Sequence, residues 1–143
     1  MARGIPKEVI EHFETIPLFA SVSKKGLRAI VHAATEVDVR AGKPLVHEGE
    51  WGREMYVILR GTADVTKDGR KLRELVPGDF FGEMAFLSPA PRTATVTART
   101  DMLVMVLDSR AMGAVVEREP AVARRLLAAM AERIRSTERS AVH

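Results

Sequence analysis

The chain has 143 residues, 46% of them apolar and 29% charged, the size and balance of one ordinary domain rather than of a disordered segment. It contains no cysteine, which excludes disulfide frameworks, thiolate zinc sites and cysteine nucleophiles. Lys plus Arg number 22 against 19 Asp plus Glu, a net charge of +3, too small a surplus to argue for nucleic acid by itself.

Pro6 suits the first turn of a helix running to about Glu14, with Val9, Ile10 and Phe13 on one face. Ser23 can cap a second helix whose Leu27, Ile30, Val31 and Ala34 fall at i, i+3, i+4 and i+7. From Thr35 the apolar period changes to two. Val37 and Val39 alternate with polar residues, then Met55, Val57 and Leu59, then Ala63 and Val65. Asp68-Gly69 is the strongest hairpin signal in the chain. Alternation resumes from Arg92 to Ala98 and again at Leu103, Met105 and Leu107. Such closely spaced short strands predict a sandwich or barrel. Asp108 or Ser109 can cap a helix through Glu117, and Pro120 opens a final one.

At 100° per residue, Val122, Leu126 and Met130 of that last helix lie within about 60° of Arg133, and Ala123, Leu127 and Ile134 extend the stripe. Arg133 therefore falls inside an apolar stripe, with Thr137 one turn beyond. A snorkelling arginine is the alternative reading. No run approaches the roughly 18 apolar residues of a membrane span, and Met1 to Lys7 lack a secretory core. A single soluble, cytoplasmic domain over residues 1–143 is expected.

One stretch carries chemistry, from Gly78 to Val96. Gly82 lets an anion approach the backbone closely, and a helix beginning there presents free N–H groups and its positive dipole end. Arg92 offers a planar fork suited to two phosphate oxygens. Glu83 repels phosphate but accepts well from hydroxyls, so a phosphate joined to a ribose satisfies both residues. Residue chemistry alone leaves a second reading open, in which Arg92 and Glu83 pair and staple a loop to a strand.

The segment is similar to the phosphate-binding cassette of the cyclic nucleotide-binding domain family, Gly-Glu, a hydrophobic turn, then Arg-Ser/Thr/Ala-Ala-x-Val. Gly82, Glu83, Met84, Ala85, Leu87, Arg92, Thr93, Ala94 and Val96 match it. Gly42, Gly49, Leu59-Arg60-Gly61 and Pro77-Gly78-Asp79-Phe80 resemble landmarks of the family's β-roll, and the likeness covers residues 15–138.

The resemblance implies an α+β fold. Helices over about 6–34 would lead into an antiparallel, jelly-roll-like barrel of about eight strands over 35–107. A short phosphate-binding helix lies within it, and lid helices over 108–138 follow. It implies cAMP as the first candidate ligand and cGMP as the second, with no further cofactor and no metal. Arg92 would grip the exocyclic phosphate oxygens, helped by the backbone N–H groups of Met84 and Ala85. Glu83, beside Gly82, would take the ribose 2′-hydroxyl. Val65 and Leu72 align with positions that face the base. Thr93 would reach the phosphate or a guanine amino group. Arg133 and Thr137 match positions on a last helix that closes over the base.

A regulatory module, not an enzyme, is therefore expected. His12, His32, His47 and His143 show no metal-ligand spacing, and His47-Glu48 lacks the second histidine of a cupin-like site. The chain ends at His143, directly after the last helix, so direct nucleic-acid binding is not expected. The alternatives are the ligand-binding half of a transcription regulator and a degenerate, non-binding interaction domain. The expected output is movement of the last helix against an unidentified effector protein. A monomer is favoured over a dimer, because the lid role uses the one apolar stripe.

Overall fold

A computed structural model describes residues 7–20, 22–83 and 88–142, the side chains of 7–9, 12, 133, 134 and 136–142 excepted. Pro6, Met84, Ala85 and Leu87 lie outside the described residues, as do the side chains of Arg133 and Thr137.

Helix α1 (Lys7–Glu14) leads through a 3-10 turn (Pro17–Phe19) into α2 (Lys24–Ala33). The Ser23 hydroxyl accepts from the Gly26 N–H at 3.0 Å, the capping bond expected of it, worth about 1 kcal/mol. Eight strands follow: β1 (Thr35–Val39), β2 (Pro44–Val46), β3 (Met55–Arg60), β4 (Ala63–Lys67), β5 (Arg70–Leu75), β6 (Phe80–Phe81), β7 (Thr95–Ala98) and β8 (Met102–Leu107). They form two antiparallel four-stranded sheets, in the orders β1-β8-β3-β6 and β2-β7-β4-β5. The two sheets face each other without closing into a barrel. Helix α3 (Ser109–Arg118) is capped by the Asp108 carboxylate, which accepts from the Ala111 N–H at 2.8 Å. Helix α4 (Pro120–Val142) runs one turn past the expected end at 138.

Two cores share the first sheet as a common wall. Met55, Val57, Leu59, Met105 and Leu107 turn one face toward the helices, where Phe13, Phe19, Leu27, Ile30, Met112, Val122 and Leu126 are buried. Ile58, Met102 and Val104 turn the other face toward Val46, Val65, Phe81 and Val96 between the sheets. That is why β3 and β8 read as near-continuous apolar runs: strands covered on both faces have no polar side. Phe13 and Phe19 pack ring to ring, 5.2 Å between centroids, and truncating either is expected to cost about 3–5 kcal/mol. β1 is different. It is an outer strand, and Val37 is exposed.

The β4–β5 hairpin turns at Asp68 (φ 51) and Gly69 (φ 78), the paired left-handed residues of a two-residue hairpin loop. Its register then slips. Val65 faces Arg73 but Thr66 faces Lys71, leaving Leu72 as the extra residue of a bulge. On α4, Val122 and Leu126 are buried as the stripe predicts, but Leu127 is 62% exposed and is no part of the packed face.

Candidate ligand-binding site

Arg92 does not begin a strand, as alternation alone suggests; β7 starts three residues later, at Thr95. Its backbone pairs instead with the loop before β3. The Arg92 N–H donates to the Glu50 carbonyl at 2.8 Å, and its own carbonyl accepts from the Gly49 N–H at 2.8 Å. Trp51 bridges Pro91 beside it.

This pairing carries the guanidinium into the protein, where Arg92 is only 9% exposed. Two glycines make room. A Cβ on Gly52 would collide with the guanidinium, and one on Gly82 would lie 2.9 Å from its Nη1. The Tyr56 ring lies 6.0 Å from the guanidinium carbon and stacks on Phe81, centroids 4.7 Å apart and planes within 5°. Such a cation–ring contact adds roughly 0.5–2 kcal/mol. Nη2 is paired with the Glu54 carboxylate at 3.3 Å. Nη1 is buried and makes no hydrogen bond among the described residues. A buried donor left in that state costs about 1–3 kcal/mol, which an incoming anion would recover.

The surroundings act on Tyr56 in turn. Burial pushes its hydroxyl above the ordinary 10.0, the Glu54 charge adds to the rise, and the Arg92 charge opposes it.

Beside the guanidinium lies a cavity of about 260 Å³. Its floor is one row across the second sheet: Val46 faces Val96, Val96 faces Val65, and Val65 faces Arg73. Phe81, Gly82 and the fully buried Glu83 form one wall, and Arg92 and Thr93 another. Met130 of α4 reaches the cavity from above. A guanidinium, a buried carboxylate and an apolar floor suit a ligand with an anion, a hydroxyl and a flat apolar part.

The structure thus brings Gly82, Glu83, Arg92, Thr93 and Val65 together around one cavity. Leu72 is not among them. It is 58% exposed, because the bulge gives its place opposite Val65 to Arg73, and a one-residue slip moves a strand's side chains to the other face. Arg133 lies one turn beyond Met130 on the α4 backbone, and Thr137 one turn beyond that. Sequence reasoning missed Gly52, Glu54, Tyr56, Arg73 and Met130. Gly52 left a trace in the Gly49–Gly52 cluster; a carboxylate 38 positions before Arg92 left none. Among the described residues no group of three or more His, Asp or Glu could hold a metal ion, and no helix is long and apolar enough to cross a membrane.

Comparison with known proteins gives these features a context. The cyclic nucleotide-binding domain model matches residues 36–119. A cAMP-dependent protein kinase regulatory subunit of Eremothecium gossypii is 37% identical over 112 residues, 75% of this chain and 24% of that protein. A CRP-like cAMP-activated global transcriptional regulator of Mycobacterium tuberculosis is 30% identical over 125 residues, 84% of this chain and 56% of that protein. The chain therefore spans only a quarter to about half of these relatives' length. The catabolite activator protein of Thermus thermophilus superposes with a TM-score of 0.80 at 29% identity, over 87% of this chain and 61% of that one. The matched residues hold the whole second sheet, the cavity floor and the Arg92 cage, and the chain belongs to the cyclic nucleotide-binding domain family.

Proposed function

We propose that this domain binds one 3′,5′-cyclic nucleotide as a regulatory sensor and transmits occupancy through α4. The family is one of regulatory binding domains. The observation that carries the reading is the caged Arg92: a buried cation with one edge held by Glu54 and the other without a hydrogen bond among the described residues, facing a cavity with an apolar floor.

In this reading Arg92 holds the exocyclic phosphate oxygens together with the Met84 and Ala85 N–H groups. Glu83 accepts from the ribose 2′-hydroxyl beside Gly82, Thr93 flanks the phosphate, and the base lies on Val65 and Val96. Met130 covers the base, with Arg133 and Thr137 closing behind it. The effector is a separate protein that reads the position of α4. The domain acts as a cytoplasmic monomer.

Of the two candidate ligands we place cAMP first and cGMP second; cAMP-dependent relatives support the first choice.

Calorimetric titration with cAMP, cGMP and 5′-AMP tests the reading. One site per chain is expected, with 5′-AMP far weaker, because an open phosphate brings extra charge and a different shape to a single arginine. Equal affinity for 5′-AMP would overturn the cyclic-phosphate assignment.

A further inference from the structure

The sandwich is open along one seam. β1 and β2 are end strands of their sheets, and only residues 40–43 separate them in the chain. Between these two edges lies a groove of about 500 Å³, walled by Thr35, Val37 and Val39 of β1 and by Pro44 and Leu45 of β2. Its floor is the uncovered rim of the core between the sheets. Val39, Leu45, Tyr56 and Val106 are only partly buried there, and Val37 is 37% exposed.

One end of the groove is acidic. Thr35 faces Val106, which faces Tyr56. Asp108 follows β8 and Glu54 precedes β3, and both carboxylates line the groove, with no Lys or Arg among the lining residues. That is notable in a chain where Lys and Arg outnumber Asp and Glu, 22 to 19. Each carboxylate commits one oxygen inside the protein, Glu54 to Arg92 and Asp108 to the Ala111 N–H. The other oxygen of each accepts no hydrogen bond among the described residues. Glu36 and Asp38 alternate with the valines on β1 and add negative charge, while Arg40 and Lys43 lie at the far end, between β1 and β2.

The edge itself is open. Along Thr35–Val39 the backbone pairs with β8 and makes no other hydrogen bond among the described residues, so its outer N–H and C=O groups are available to another strand. Charges on an edge strand keep it from pairing with copies of itself. Here they also choose a partner. Antiparallel addition of a second copy's β1, centred on Val37, would set Glu36 opposite Asp38, and like charges directly opposite repel. A strand carrying Lys or Arg meets attraction instead. We infer that this seam docks an extended, basic segment of a partner protein. The segment adds as a strand to β1 and places a Lys or Arg at the Glu54–Asp108 end. Branched apolar side chains two and four residues along, on the same face, then cover Val37 and Val39. Docking here needs no nucleotide in the Arg92 cavity.

The test is an NMR titration of the isotope-labelled full chain with the acetylated, amidated peptide Thr-Arg-Thr-Val-Thr-Val-Thr, whose arginine and two valines share one strand face. Amide shifts should move along Thr35–Val39 and at Tyr56 and Val106, with peptide-to-β1 backbone contacts in the NOE spectrum. The effect should shrink as salt rises, and a peptide with glutamate for arginine should not bind. Val37→Arg, at an exposed position, puts the chain's own cation in the groove and should abolish binding. An otherwise unchanged amide spectrum certifies its fold. Glu54→Gln should weaken the peptide by roughly two- to fivefold, the reverse of its effect on an anion at Arg92.

No shift along β1 at millimolar peptide would overturn the assignment. So would equal binding of the glutamate peptide, which would show that charge is not read. The same shifts with spermine alone would make the groove a site for small amines rather than for a protein strand. The same shifts on raising protein concentration without peptide would make the occupant a second copy of this chain.

Discussion

Nη2 of Arg92 and Oε2 of Glu54 stand 3.3 Å apart, an ion pair in which the arginine side chain is 7% exposed and the carboxylate 45%. Glu54 does two opposed things to an anion arriving at Arg92. It holds the fork in place, and its charge cancels part of the attraction. Glu54→Gln keeps a carbonyl acceptor for the fork and removes the charge, so it is expected to tighten cyclic nucleotide binding by a few-fold, about 0.5–1 kcal/mol. Titration at low and high salt checks this, because the gain should shrink as salt screens the half-exposed carboxylate. Weaker binding at both salts would mean that the charge is needed for orientation.

Arg92→Ala should lose the charge-assisted phosphate contacts, about 1.5–3 kcal/mol or more, which is on the order of ten- to a hundredfold in affinity. Its effect on the apo fold should be small, since the half-exposed Glu54 regains water. Titration and chemical denaturation of the same variant separate the two effects.

The two glycines of the cage should fail differently. Gly82 has φ 87, and a Cβ there would lie 2.5 Å from the Glu54 carbonyl oxygen, so Gly82→Ala should destabilise the fold by about 1–3 kcal/mol. A Cβ at Gly52 would meet the tip of the Arg92 side chain, which can swing. Gly52→Ala should therefore keep its denaturation midpoint and lose ligand affinity. Equal destabilisation of both variants would mean that the guanidinium has no freedom to move.

Tyr56 makes stability pH-dependent on the alkaline side. Its hydroxyl is raised above 10.0 in the folded protein, first by burial and then by Glu54. The folded state therefore holds its proton longer than the unfolded chain does. Stability from this group is complete below pH 10 and falls as pH rises from there through the raised folded value. Tyr56 is the single tyrosine of the chain, so tyrosinate absorbance follows it without ambiguity. Tyr56→Phe keeps a ring against Phe81 and should flatten that alkaline slope. A slope surviving in Tyr56→Phe would place its source in another group.

Closure of α4 predicts a kinetic signature. Ligand should slow amide exchange between Leu126 and Thr137, and Arg133→Ala should speed dissociation while leaving association nearly unchanged, because a lid acts after encounter. At a ligand concentration of a hundred times Kd, linkage should stabilise the fold by about 2.7 kcal/mol. Stopped-flow release of a fluorescent cyclic nucleotide measures the first effect and thermal melts the second. An unchanged off-rate in Arg133→Ala would leave that residue as surface.

The parts of the site that share one stretch of chain were legible from it. Gly82, Glu83, Arg92 and Thr93 lie within twelve consecutive positions; their types fit an anion joined to a hydroxyl or a structural Arg92–Glu83 pair, and the resemblance of the whole segment favours the first. What holds them comes from elsewhere. Glu54, Gly52 and Tyr56 reach Arg92 because the loop before β3 pairs with the Arg92 backbone, and no local pattern announces a pairing that spans some forty residues. Leu72 failed for a sharper reason. Alternation gives a residue's face only while the register holds, and one extra residue in β5 put Arg73, itself exposed, in place of Leu72 opposite Val65 at the cavity's edge. The caps were readable because Ser23 and Asp108 act within three residues of themselves.

Strand β3 carries a consequence for how such a domain can change over generations. Its odd-numbered residues Met55, Val57 and Leu59 anchor the helices, while Tyr56 and Ile58 look toward the ligand side. Substitutions on the even positions can retune what the cavity accepts without disturbing how the helices dock, and the reverse also holds. A saturation library across Met55–Leu59, sorted once for abundance and once for ligand capture, should therefore separate into two interleaved tolerance profiles with a period of two. Inherited selectivity and inherited signalling would then be independently adjustable traits written on a single five-residue segment.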